Sequence, residues 1–172
     1  MLLRELKVNN IGPFHGEQTV AFASDPEHPV TLIGGKNGSG KTTLLESILV
    51  ALYGSRSRGL LGFTNYPEFL REVTHDSSSN GSISLVFDRR EDGKDRRYTL
   101  VRRWKTPLID PPKEIFTVTV DGEERTDLVA SWPEYVEQIL AAFRTRLLHD
   151  AAEVATTLSD PAEIAAVLVK AA

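Results

Sequence analysis

Eight residues constrain this chain more than any others: Gly35–Lys36–Asn37–Gly38–Ser39–Gly40–Lys41–Thr42. They match G-x-x-x-x-G-K-[ST], the P-loop or Walker A pattern, without exception. Each residue type has a physical task. Glycines reach positive φ and let backbone N–H groups close around a phosphate. A helix that opens directly behind them aims its positive end at the same anion. Lys41 adds a cation for the β- and γ-phosphates, and the Thr42 hydroxyl is the expected ligand of a Mg²⁺ ion bridging them. The candidate cofactor-binding residues are therefore Gly35, Lys36, Asn37, Gly38, Ser39, Gly40, Lys41, Thr42 and Thr43, and the expected cofactors are ATP and Mg²⁺.

The flanks agree with that reading. Val30–Thr31–Leu32–Ile33 is short, β-branched and almost wholly apolar, which predicts a strand buried on both faces. After the motif, Leu44, Leu45, Ile48, Leu49 and Leu52 recur at helical spacing over 42–53, and Gly54 is placed to stop the helix. The expected fold is α/β, with strand, P-loop and helix at its centre, an antiparallel meander covering it and helices at the C-terminal end.

The meander is legible in alternation. Leu2, Leu6 and Val8 share one face of a first strand, and 9–16, containing Gly12 and Pro13, reads as the turn that follows. Val20 and Phe22 mark a second strand, while Ile83, Leu85 and Phe87 mark another ahead of the hairpin turn Glu91–Asp92–Gly93–Lys94. Further strands are expected over 98–104 and 115–120, the latter closed by Asp121–Gly122. Between the P-loop helix and the meander, 55–65 reads as an irregular loop, and Pro67 opens a short helix through Val73. Residues 77–81 read as a loop. From Trp132 the pattern is helical through Val154, and Ser159 or Asp160 is placed to cap a last helix with Pro161 in its first turn. Two parts are expected: a P-loop lobe over 1–140 and a helical tail over 141–172.

Composition removes several classes. The 172 residues contain no cysteine, which excludes disulfide scaffolds, thiolate metal sites and cysteine nucleophiles and is compatible with a reducing cytoplasm. No apolar run approaches a membrane span, and the N-terminus does not read as a signal peptide. His15, His28, His75 and His149 show no paired metal-ligand spacing, and no His–acid pair supports Ser39 as a nucleophile. Net charge is −4, but residues 1–105 carry 15 basic and 12 acidic side chains, against 5 and 12 in 106–172. A phosphate-bearing partner would prefer the first part. Eight basic residues fall between Arg89 and Lys105, with Tyr98 and Trp104 among them. Two readings stay open for them: a DNA contact on a hairpin, or the solvated face of an antiparallel sheet.

Hydrolysis needs a second acid at a strand end. The one apolar run ending in Asp is Ser84–Leu85–Val86–Phe87–Asp88, and Arg89 rather than an acid follows it. Asp88 is thus read mainly as a strand-end residue. No Leu-Ser-Gly-Gly signature is present, so the chain reads as half of an ATPase site.

Taken together, Leu3 to Asn10, then Gly12–Pro13–Phe14, then Gly35 to Glu46 resemble the N-terminal lobe of SMC-type ABC ATPases, which act in DNA repair, chromosome organisation and phage defence. Within that group, the Tyr53–Gly54 ending, Arg102–Arg103–Trp104, and Trp132 to Leu140 are most similar to DNA sulfur modification proteins of the DndD type. The resemblance implies an ATPase head split into two halves, the second bringing the Walker B acids and the signature motif, with two heads closing around ATP. It implies that Asn10 and Gly12 lie where the chain touches adenine and ribose, that Asn37 approaches the γ-phosphate, and that Gln138 is a candidate Q-loop glutamine. The implied partners are a second lobe or head, other DNA-modification subunits and DNA. The alternative is a stand-alone nucleotide-sensing module, while a small kinase is disfavoured by the missing second acid and lid.

Overall fold

The computed structural model describes residues 1–22, 31 and 33–138 of the chain. Six strands form one antiparallel sheet: β1 (Leu2–Ile11), β2 (Phe14–Ala21), β3 (Asn80–Glu91), β4 (Lys94–Lys105), β5 (Lys113–Val120) and β6 (Glu123–Glu124), in the order β2-β1-β3-β4-β5-β6. Between β2 and β3 come α1 (Lys41–Tyr53), a 3₁₀ turn (Gly54–Ser57), α2 (Arg58–Leu61) and α3 (Tyr66–Val73). A helix over 126–138, here α4, follows β6.

The alternation read from the sequence sets the register. Leu6 faces Leu85 and Leu85 faces Leu100, placing these side chains on one face. That face, with Val8, Phe87, Tyr98 and Val118, is buried beneath Leu44, Val50 and Ala51 of α1, Leu70 of α3, and Trp132 and Val136 of α4. The result is two layers, a sheet with helices on one face. The β3–β4 hairpin turns at Asp92 and Gly93, both at positive φ (49° and 78°), so β4 begins at Lys94, earlier than alternation alone suggests.

Several boundaries differ from expectation. Of the strand expected over 30–33, Thr31 and Ile33 are exposed and in no strand, while Val30 and Leu32 lie outside the described residues. Among the described residues, β3 and β4 hold the centre of the sheet. Residues 55–65 are not irregular throughout. The buried Ser57 hydroxyl donates to the Gly54 carbonyl at 2.6 Å, and the Gly62 N–H returns to the Arg58 carbonyl at 2.8 Å, closing two short turns. Finally, α4 starts six residues before Trp132, because Leu128 already belongs to the Leu128–Trp132–Val136 apolar face. The predicted continuation past residue 138 and the helix near Pro161 lie outside the described residues. The turns also shrink: β1 runs to Ile11 and β2 starts at Phe14, inside the turn read over 9–16, and β3 starts at Asn80, inside the loop read over 77–81. The short helix α3 is as read: it is capped by Asn65, whose side chain accepts from the Glu68 N–H, and has its proline in the first turn.

Candidate functional site: a phosphate cradle at the head of α1

The P-loop folds back on its own lysine. The Lys41 ammonium donates to the Gly35 and Lys36 carbonyls, both at 2.8 Å, so the loop curls around the cation that the sequence assigns to phosphate. Gly38 and Gly40 have φ of 80° and 91°, a region glycine enters without penalty. Gly40 is also sterically required, because a Cβ there would meet the Phe14 ring at 2.4 Å and Pro13 at 3.0 Å. A Cβ at Gly35 would meet the Ser39 hydroxyl at 2.6 Å. The glycines are therefore fixed by close approach as well as by dihedral.

The β1–β2 turn completes the cradle. Gly12, at φ 51°, presses against the Thr43 side chain, where a Cβ would come within 3.0 Å of Cγ2. Phe14 and Pro13 lie under Gly40. This turn is anchored from behind, since the Gly12 N–H donates to the Val73 carbonyl at 2.7 Å. The resulting cleft, about 330 Å³, is lined by Pro13, Asn37, Gly38, Gly40, Lys41, Thr42 and Thr43. The N–H groups of Lys41, Thr42 and Thr43 occupy the first turn of α1, where no intrahelical acceptor exists. Donors, a cation and a hydroxyl thus converge on one small volume with no carboxylate in its lining. That donor set fits an oligophosphate, and the Thr42 hydroxyl fits a magnesium ligand.

The expected site residues sort as follows. Asn37, Gly38, Gly40, Lys41, Thr42 and Thr43 line the cleft; Gly35 and Lys36 hold Lys41; Ser39 packs beneath Gly35. Gly12 buttresses Thr43 without lining the cleft. Asn10 does not line this cleft either. At φ 54°, its side chain accepts from the Gly16 N–H at 2.8 Å and donates to Asn80 at 3.1 Å, tying the turn to β3. Phe14 joins the cradle although spacing and motif do not single it out as a site residue. An aromatic ring beside Gly12–Pro13 is the available signal, but only the fold puts that ring under Gly40.

The far end of α1 is closed by three donors. The Gly54 N–H caps the Val50 carbonyl. The buried Arg102 Nε donates to the Ala51 carbonyl at 3.0 Å, and Trp132 Nε1 to the Leu52 carbonyl at 2.8 Å. Arg102 also pairs with Glu114 at 2.9 Å and lies over the Phe116 ring, 3.8 Å from its centroid. Its guanidinium fills the space above Gly54, where a Cβ would sit 2.6 Å from Nη1. Tyr66 donates to the same Glu114 at 2.6 Å; burial first, and then the Glu114 charge, push its hydroxyl pKa upward, so it remains a protonated donor.

The basic run divides. Arg89 pairs with Glu91, Arg96 with Asp121, Arg97 with Asp88 and Arg102 with Glu114. Arg90, Lys94, Arg103 and Lys105 form no ion pair among the described residues. Asp88 is not a strand-end acid, because β3 runs on to Glu91. Its carboxylate is held by Arg97 (2.8 and 3.1 Å) and Arg4 (2.7 Å), which, Arg97 first, hold it below the usual carboxylate range. Gln138 is exposed in α4.

The same stretch of chain that builds the sheet and the cradle is shared with known proteins. The family profile described as AAA domain matches residues 5–141. A "DNA double-strand break repair Rad50 ATPase" of Archaeoglobus fulgidus is 32% identical over 136 residues, covering 78% of this chain and 12% of that protein. The SbcC subunit of the nuclease SbcCD of Staphylococcus aureus is 42% identical over 141 residues, covering 78% of this chain and 13% of that one. The corresponding SbcC protein of Treponema pallidum is 53% identical over 49 residues, 28% of this chain and 4% of that protein. The chain therefore spans about an eighth of the length of these Archaeoglobus and Staphylococcus relatives.

Proposed function

The chain belongs to the AAA domain family, and from that premise we propose that it is the ATP-binding lobe of an SMC-like ATPase working on DNA, in the manner of a Rad50 or SbcC head. The observation that carries this reading is the cradle itself: two positive-φ glycines, Lys41 and the head of α1 converging on one cleft. In this reading Asn37, Gly38 and Gly40 offer backbone to the β- and γ-phosphates. Lys41 exchanges its two carbonyls for phosphate oxygens, Thr42 holds Mg²⁺, and Pro13 borders the nucleotide. When bound, the metal neutralises charge on the phosphates and orients them.

The lobe needs completion. No carboxylate lines the cleft, so the acid that positions an attacking water comes from elsewhere. Apolar surface is left beside the loop as well: Ile33, just ahead of it, is 38% exposed and Leu45, near the start of α1, is 59% exposed. Leu45 lies on a helix that is apolar nearly all round, as helices buried on both sides are. A second lobe docking there would cover this surface and bring the acids. The 1–140 lobe boundary and an accessory role for 141–172 belong to the same proposal.

Within the family, the narrower reading is a DndD-type head serving DNA sulfur modification. It rests on sequence resemblance, and two of the residues that carry it, Arg102 and Trp104, are packing residues here. The stand-alone nucleotide-sensing reading draws on the same lack of a carboxylate. The test is calorimetry and steady-state turnover with ATP–Mg²⁺. Binding is expected for the wild type and a loss of at least about tenfold for Lys41→Ala, the loss of a charge-assisted contact to phosphate. Turnover by the chain alone should stay below about 1 s⁻¹, the low end of ordinary enzymes. Equal heats for the two proteins would remove the reading, and faster turnover would remove the need for a second lobe.

A further inference from the structure

A groove of about 940 Å³, larger than the nucleotide cleft, lies on the sheet face turned away from the helices. Its floor is a row of cross-strand neighbours: Asn9 opposite Ser82, Ser82 opposite Arg103, and Arg103 opposite Ile115. Lys105 and Lys113, paired with each other, form the next row of cations. Pro107, Asp110 and Pro111, from the loop between β4 and β5, make the wall.

Two properties select the occupant. The first is charge. Arg103, Lys105 and Lys113 carry no ion pair among the described residues. Of the two acids at the groove, Glu114 is already engaged by Arg102 and Tyr66, which leaves Asp110 against three cations. The second is apolar exposure. Ile115 is 67% exposed on the floor, and Pro107 and Pro111 line the wall. Exposed aliphatic side chains beside cations suit a protein segment better than a nucleic acid, which rewards aromatic stacking. The aromatic residue here, Trp104, is 3% exposed and spends its N–H on Leu70 and Thr74.

We propose that this groove docks an extended, acidic partner segment whose aliphatic side chains settle on Ile115, Pro107 and Pro111 while its carboxylates meet Arg103, Lys105 and Lys113. Three inter-strand steps of about 4.8 Å give a floor of roughly 14 Å, the length of about four extended residues. The surface is separate from the nucleotide cleft, and the proposal does not rest on nucleotide binding.

The test is fluorescence anisotropy on the full chain with a short labelled peptide alternating Glu and Leu. Control probes replace Glu by Lys, or Leu by Ser, and a short DNA duplex serves as competitor. The Glu/Leu peptide should bind at least about tenfold more tightly than either control peptide, and less tightly as salt rises. Combining Arg103→Glu, Lys105→Glu and Lys113→Glu should abolish that preference, whereas Lys94→Glu, on the hairpin tip outside the groove, should leave it intact. Lys113→Gln alone, at the exposed rim, should give a smaller loss of the same sign and keeps the test valid if the triple variant does not fold. Unchanged peptide binding in the folded variants would overturn the proposal. So would equal binding of the Leu and Ser peptides. A duplex that binds more tightly than the peptide through the same three cations would also overturn it, making the groove a nucleic-acid surface.

Discussion

The two ends of α1 are made of the same helix and have opposite fates. At its tail, three consecutive carbonyls, of Val50, Ala51 and Leu52, each receive a donor from a different part of the chain. Two of those donors, Arg102 and Trp132, are buried, and Arg102 brings a cation to the negative end of the helix dipole. At its head, the N–H groups of the first turn face a cleft, and glycines replace the side chains that would have filled it. A helix end closed by long-range donors carries stability, while an end left open by backbone-only residues is available to a ligand. The contrast explains how an open, charged loop can be tolerated: α1 is held from behind.

This comparison can be broken in order of effect. Trp132→Ala should cost the most, about 3–5 kcal/mol in urea-unfolding free energy, because it removes a fully buried ring and orphans the Leu52 carbonyl together. Nucleotide affinity of the fraction still folded should change little. A loss of affinity at unchanged stability would show that the two ends are not separable. Arg102→Ala follows at about 3 kcal/mol, since it strands Glu114 beside a buried hydroxyl. Adding Glu114→Gln to Arg102→Met should recover part of that loss in the same unfolding assay, and no recovery would mean that the Ala51 contact dominates. Lys41→Ala lies at the other end of the comparison. Its stability change should stay within about 0.5 kcal/mol while binding falls.

The smallest effect belongs to Asp88, remote from both ends in role. Its folded-state pKa is depressed, so its contribution is present above the unfolded value near 3.8 and is lost as pH falls through the folded one. Asp88→Asn should therefore be less stable than wild type at neutral pH. The gap should close at the acid end of a pH series of unfolding curves. A gap that persists there would assign the effect to packing rather than charge.

Much of this was legible in one dimension. The P-loop, the helix behind it, Gly54 as its stop and both hairpin turns depend on neighbours a few residues away, and local sequence carries that information. Alternation fixed which face of β1 and β3 is inward, because a strand has a period of two. The run over 30–33 shows the limit of that information. Apolar character says that a segment can be buried, but burial requires partners from elsewhere, and among the described residues Ile33 stays 38% exposed. The basic run misled in the other direction. Charge looks like surface in a sequence, yet Arg102 lies inside, where Glu114, Phe116 and the tail of α1 meet it.

The amino-acid order alone thus determined the chemistry of the cradle and the identity of its lysine, glycines and hydroxyl, since those rest on backbone freedom and spacing within one loop. Tertiary structure decided everything that requires two distant segments to meet. It placed Phe14 under Gly40, tied the Asn10 side chain to Gly16 and Asn80, and closed the far end of α1 with a strand arginine and a helix tryptophan. Such contacts depend on which surfaces remain to be covered once the sheet has formed, and no local pattern encodes that.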